Sequence, residues 1–442
     1  MRYQEAVTYL NSFINLEKQI KFNYNRMKLN RVYAILNILD NPQKNLKTIK
    51  VAGTKGKGST ANYISEILSA AGYKTGLYTS PHLHDFRERI KLDSKLITKK
   101  ELTEIIRIVR KGINKYLNQG GQKPTFFEVY TICAFYYFYI KKADFVILEV
   151  GLGGRLDATN VVEGIISIIT PISYEHMDKL GTKLESIAFE KASIINSNSY
   201  VISSYQRPSA LRVIQRMARE KKAPIYVYKR DFDCEVKKIS NLKQKFLYHG
   251  IGRELLNLKT NLLGEHQLEN ASCALAAIEV LVILGYKIDN GAIKKAIANT
   301  NWPGRLEIVE KRPYIVLDGA QNKASIAALI TALKRYFKYK KLVVVLGISA
   351  DKDIKGICQL ISATANNIII TKSLHPRSAS PVTIEKHFKY FSRRDTQRTD
   401  NIKDALKLAR KLSKEDDLII CCGSLFVVAE VRQLIGSRRL IK

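Results

Sequence analysis

Apolar residues along this chain fall into short unbroken runs, each followed by a longer segment whose apolar positions recur three and four residues apart. The first pair is "NLKTIKVAG" (45–53), read as a strand, and "STANYISEILSAAG" (59–72), read as a helix with Gly72 as its C-cap. "TGLYTS" (75–80) predicts another strand, "TFFEVYTICAFYYFYIKK" (125–142) a strongly apolar helix, and "ADFVILEVG" (143–151) a buried strand. A strand "GIISIIT" (164–170) and a helix "LESIAFEKASII" (184–195) follow. Residues 229–262 break the rhythm and predict a small β excursion, before a helix over 266–284. A second alternation begins after "NTNWPGR", with strands at "YIVLDGA", "KLVVVLGIS", "NNIIITK" and "DLIICCGS" separated by helices.

Continuous apolar strands alternating with helices predict parallel sheets covered on both faces. The expected fold is therefore α/β: a P-loop-type, mostly parallel sheet domain over residues 1–298, then a smaller Rossmann-like α/β domain over 299–442. At 442 residues the chain is long enough for two such units.

Composition narrows the class. A hydrophobic content of 46% with 10 prolines belongs to a folded globular protein. The six cysteines show no metal-ligand spacing and sit mostly in apolar runs, as expected in a reducing cytoplasm. "MRYQEAVTYLNSF" lacks a signal-peptide core, and no long apolar span predicts a membrane crossing. The net charge of +33 raises nucleic-acid binding. The lysines are scattered rather than gathered into one arm, so small polyanionic ligands are the better expectation.

Candidate chemistry begins at "VAGTKGKGST" (51–60), a glycine-rich basic turn between a strand and a helix. Glycines let backbone N–H groups approach phosphate oxygens, while a lysine and a hydroxyl complete such a site. The strict GxxxxGK[ST] pattern is imperfect: Val51 stands where it wants the first glycine, and Gly58 pushes the hydroxyl to Ser59. Further on, "LEVGLGGRLDATN" places Glu149 at the end of a buried strand, where open α/β sheets bind ligands and an acid commonly holds Mg²⁺. His176 follows the next strand in "TPISYEHMDKLG".

These segments, together with "TSPHLHDFRERI", "EKASII", "NWPGRLEIV", "LDGAQN" and "CGSLFVVAEVR", resemble the folylpolyglutamate synthases and the bifunctional dihydrofolate synthases of the Mur-ligase superfamily. The resemblance runs from about residue 25 to 436. It implies ATP-dependent amide formation between a folate or dihydropteroate carboxylate and L-glutamate, through an acyl phosphate. By this resemblance Gly56, Lys57, Gly58 and Ser59 cradle the phosphates, and Asn270, Arg305 and Asp318 complete the nucleotide site. Ser59 ligates one Mg²⁺, while Ser80, Glu149 and His176 hold a second. Lys191 matches a lysine that the family carbamylates, and Thr79, Phe127, Arg155 and Asp157 match the pterin segments.

Three positions depart from the family pattern: Gln321 replaces a histidine, Glu175 an aspartate and Ser193 a glycine. "GGRLDATN" is similar to enzymes that also accept dihydropteroate, so both activities are expected. Two other readings share part of the signal. A cell-wall Mur-type ligase would share Lys57, Glu149 and His176, but not "TSPHL" or "GSLFVVAEVR". A nucleotide-binding protein without ligase activity would keep the turn, with Gln321 in its favour. A monomer is expected, and neither a membrane nor nucleic acid is an expected partner.

Overall fold

The structure is a computed structural model that describes residues 1–19, 24, 27–240, 242–391 and 396–439. Its largest sheet has eight strands: β1 (Thr48–Ala52), β2 (Thr75–Tyr78), β3 (Ile90–Leu92), β4 (Lys95–Leu96), β5 (Phe145–Glu149), β6 (Gly164–Ile169), β7 (Tyr200–Ser203) and β8 (Ile225–Val227). Their order is β4-β3-β2-β5-β1-β6-β7-β8. The six from β2 to β8 pair in parallel, and β3 and β4 add an antiparallel edge.

Strand β1 lies in the middle, flanked by β5 and β6. From β1 the chain builds outwards on the β2 side and later returns to build on the β6 side. The strand order therefore reverses beside β1, and the crevice at its carboxyl end is where such sheets bind ligands. All five residues of β1 and of β5 are buried; β5 is apolar up to Glu149, whereas β1 also buries Thr48 and Lys50, whose polar atoms are hydrogen-bonded.

One face of the sheet packs on the helices Lys57–Ala70 and Glu265–Ile283, and the other on Lys99–Asn118 and Phe126–Ile140. The predicted β excursion is a three-stranded antiparallel sheet of β9 (Asp233–Ser240), β10 (Lys243–His249) and β11 (Glu254–Thr260).

The second alternation forms a six-stranded sheet from β12 (Glu307–Lys311), β13 (Tyr314–Leu317), β14 (Leu342–Leu346), β15 (Asn367–Ile370), β16 (Thr396–Arg398) and β17 (Leu418–Cys422). Its order is β12-β13-β17-β14-β15-β16, parallel apart from β12. The last helix before it ends at Asn299, leaving a short connection, 300–306, between the two sheet systems. Polar contacts tie the halves together: Lys55 Nζ donates to Asn322 Oδ1 at 2.7 Å, Tyr336 donates to Gln244 Oε1 at 2.6 Å, and Arg335 pairs with Glu265. Among the described residues no helix is long and apolar enough to cross a membrane.

Candidate active site

The glycine-rich turn leaves β1 at Ala52 and enters the helix at Lys57. Gly53 has φ +146°, and a Cβ there would lie 1.9 Å from Thr170 Oγ1, so this position admits only glycine. Gly56, with φ +88°, caps the helix, and its missing Cβ makes room for Asn270 Oδ1. The imperfect P-loop pattern thereby gains a structural reason. Val51 is a buried strand residue, and the first obligatory glycine is Gly53, two positions later. Thr54 stitches the turn to the loop after β6, with its N–H on Pro171 O at 3.0 Å. Lys57 folds back over the turn, its Nζ 3.2 Å from Gly53 O.

Around this turn the ends of β5 and β6 supply the other groups. Glu149 closes β5 and is 6% exposed; its Oε2 accepts the Ser80 N–H at 3.1 Å. Burial raises its carboxyl above the usual range, opposed by the nearby Lys57, the Ser80 N–H and Arg305. His176 adopts a left-handed conformation (φ +54°) at the start of a short helix. Burial drives its imidazole down to about 4, so it is neutral at pH 7.

Lys191 is 6% exposed, and its Nζ donates to Gly53 O at 2.7 Å, on the underside of the turn. Burial, reinforced by Lys57, lowers its ammonium to about 7. Asn270 donates to Gln267 Oε1 at 3.1 Å. Asp318 holds the facing loop, accepting the N–H groups of Leu306 at 2.9 Å and Ala320 at 2.8 Å. Arg305 lies against Gly319.

The residues suit Mg²⁺ chemically. Ser59 is a buried hydroxyl on the first helical turn, and the Glu149 carboxylate keeps Oε1 facing Gly58. Hard oxygen donors of this kind are what Mg²⁺ takes, usually together with water and phosphate oxygens rather than a full protein cage. In keeping with that, no three His, Cys, Asp or Glu among the described residues converge into a metal cage.

Beyond Ser80, whose N–H Glu149 holds, a cavity of about 390 Å³ opens between the two halves. Phe127, Asp157, Ser80 and His176 border it, as does Gln321 from the far side. Thr79 and Arg155 do not border it. Thr79 is buried with its N–H on Arg89 O at 3.1 Å. Arg155 pairs with Glu190 at 2.9 Å and faces an adjoining groove beside Met27 and Tyr33. The Asp157 carboxylate is oriented by its own loop: Oδ2 accepts the N–H groups of Gly151 and Leu152, each at 3.0 Å, and Oδ1 accepts Thr159 N–H and hydroxyl at 2.9 and 2.6 Å.

Sequence reasoning did not single out several residues on the cavity wall. Arg89 is 1% exposed and forms a two-bond ion pair with Glu17, while its Nε donates to His82 Nδ1 at 2.8 Å. Glu17 in turn accepts Arg377 through its backbone carbonyl at 3.1 Å, and Arg377 pairs with Asp351. Lys352 reaches across from the second half to Glu175 at 3.8 Å. The only signal for Arg89 is its place in "TSPHLHDFRERI"; its partner lies 72 residues away.

Comparison with known proteins follows the same division of the chain. The Mur ligase middle domain family matches residues 51–278, and the Mur ligase, glutamate ligase domain family matches 304–425. The chain is 30% identical to the dihydrofolate synthase/folylpolyglutamate synthase of Bacillus subtilis, with 98% of each chain covered. It is 31% identical to the folylpolyglutamate synthase of Lacticaseibacillus casei over 99% of this chain and 100% of that one. Among solved structures, Mycobacterium tuberculosis folylpolyglutamate synthase complexed with ADP superposes with a TM-score of 0.91 at 28% identity, over 98% of both chains. Escherichia coli FolC in complex with DHPP and ADP gives 0.86 at 29%, over 99% of both chains.

Proposed function

Since the chain belongs to the folylpolyglutamate synthase/dihydrofolate synthase family of Mur ligases, we propose that it joins L-glutamate to tetrahydrofolates, and to dihydropteroate as well. It is an ATP-dependent ligase that forms an amide bond. The observation that carries the reading is the glycine turn at the carboxyl end of β1, set against Glu149, whose carboxylate holds the N–H of Ser80 on the wall of a cavity between two domains.

In this reading the N–H groups of residues 56–59 and the Lys57 ammonium hold the ATP phosphates, with Asn270, Arg305 and Asp318 completing the nucleotide site. The substrate carboxylate attacks the γ-phosphorus, ADP leaves, and an acyl phosphate forms. The glutamate amine then adds to the acyl carbon, loses a proton, and phosphate departs as the amide forms. Little covalent chemistry falls to the protein, so orientation and charge stabilisation dominate. Ser59 would hold one Mg²⁺ and Ser80, Glu149 and His176 another; when bound, the metal supplies neutralisation of phosphate charge.

The same reading gives Lys191 as a carbamate, which its lowered pKa and burial support. Phe127 and Asp157 would face the pterin in the main cavity, with Thr79 supporting the wall and Arg155 at the adjoining groove. Every group invoked lies in one chain, so a monomer suffices.

The test is incubation of the purified protein with Mg-ATP, L-glutamate and either dihydropteroate or tetrahydrofolate, following phosphate release and product mass. Glutamate addition in both mixtures is expected. Product with tetrahydrofolate alone would restrict the enzyme to chain extension, and ATP binding with no product in either would refute the ligase assignment.

A further inference from the structure

The chain contains a single tryptophan, Trp302, in the short connection between the two sheet systems. That connection crosses the glycine turn. Asn62 Nδ2 donates to Asn301 O at 3.2 Å, and a Cβ on Gly58 would lie 2.9 Å from Trp302 Cζ2. Lys91 Nζ stands 5.1 Å from the centre of the indole. The same absent Cβ would lie 3.4 Å from Glu149 Oε1, so the indole and the carboxylate together fill the space that a side chain on Gly58 would take.

Immediately beyond Trp302 the chain bends at Gly304 (φ +75°), whose N–H is held by Glu307 Oε2 at 2.9 Å and whose carbonyl accepts Gly319 N–H at 2.9 Å. Arg305 follows against Gly319, and Leu306 (φ +44°) is tied to Asp318. Two residues, Pro303 and Gly304, thus link a rigid ring seated on Gly58 to the arginine against Gly319 in the second domain.

We propose that Trp302 is a positioning residue, coupling occupancy of the Gly56–Ser59 turn to the placement of Arg305 and, through it, of the second domain. The inference rests on the reading of that turn as the ATP-phosphate site. Close packing is the physical ground. An anion drawn onto the N–H groups of residues 56–59 shifts the turn, and Gly58 has no free space against the indole, so the ring moves with it. Tryptophan suits the task, because a large flat side chain with few rotatable bonds transmits displacement instead of absorbing it.

Because Trp302 is the only tryptophan, its fluorescence reads this contact directly. ADP with Mg²⁺ is titrated into the full chain by fluorescence and by calorimetry in parallel. An emission change that saturates at the calorimetric Kd is expected. W302F should keep kcat for glutamate addition within about threefold, while W302A should lower kcat by about 10- to 100-fold and change the ADP Kd by less than about threefold.

ADP binding with unchanged emission would overturn the proposal, as would a W302A variant with wild-type kcat. Loss of ADP affinity and kcat in equal proportion would do the same, by making Trp302 part of the binding site itself. Should W302A fail to fold, the wild-type emission titration and the W302F kinetics still decide. Absence of any calorimetric ADP binding would instead refute the reading of the turn on which the proposal stands.

Discussion

Replacing Lys191 with methionine removes a buried amine whose nitrogen lies 2.7 Å from Gly53 O. In the folded chain this amine loses its proton near pH 7, against 10.5 ordinarily, because burial and the neighbouring Lys57 penalise the charged form. The difference amounts to about 5 kcal/mol between the two protonation states. Between those two values the unfolded chain binds more protons than the folded one, so Lys191 makes stability rise with pH across this window. The K191M variant lacks that rise. Denaturant unfolding in carbonate-free buffer should therefore show wild type gaining about 3 kcal/mol on the variant between about pH 7 and 9.5.

The same shift leaves about half of Lys191 unprotonated at pH 7, against about one in three thousand for an ordinary lysine. Only the neutral amine adds to carbon dioxide. With ¹³C-bicarbonate the wild type should show a carbamate carbon resonance that K191M lacks. Lys50 provides the control: burial also lowers it to about 7, but its Nζ is held inside the sheet by Asn160 Oδ1 at 2.9 Å and Val162 O at 3.1 Å. K50M should keep the resonance. A difference in stability between wild type and K191M that does not vary with pH would refute the burial argument, and a carbamate signal surviving in K191M would refute the assignment.

Three further outcomes are expected. Gly56→Ala places a Cβ 2.2 Å from Asn270 Oδ1 in a left-handed backbone costing about 1–3 kcal/mol; calorimetry should find ADP binding weakened at least about tenfold, equivalent to 1.4 kcal/mol. Asp157→Asn removes one of two acceptor oxygens that together take four hydrogen bonds, so thermal unfolding should report a loss of about 2–4 kcal/mol. Glu17→Gln leaves Arg89 buried without its counter-ion; chemical denaturation should show a loss of about 2 kcal/mol, below the 3–5 of a fully buried pair because Glu17 keeps about a third of its surface.

The sheet systems were legible because both sets of parallel strands are largely buried on both faces and therefore read as mostly apolar runs, broken in β1 by the buried Thr48 and Lys50. The edge strands β3 and β4 were not, since short segments such as the exposed Lys95–Leu96 carry no such run. At the site, glycine spacing and the acid at a strand end pointed to Lys57, Ser59 and Glu149. The pairings that set their surroundings did not show: Arg89 with Glu17, Lys352 with Glu175, and Lys55 with Asn322 join residues distant in sequence, and charged residues follow no periodicity. Val51 illustrates a local limit. Counting residues placed a glycine there, whereas the backbone needed one where the strand ends, at Gly53.

The charges bordering the central cavity bear on how substrate arrives. Arg89, Lys179, Lys352 and Arg377 face Glu17, Glu128, Asp157 and Asp351, so the lining is balanced although the chain carries +33. The excess positive charge therefore lies outside the chamber, where it draws polyanions from a distance and is screened beyond a Debye length of about 8 Å at physiological salt. Added salt should slow the encounter with a polyglutamylated folate while leaving a single turnover of already bound substrate nearly unchanged. Attraction and chemistry in this protein thus answer to different parts of the molecule.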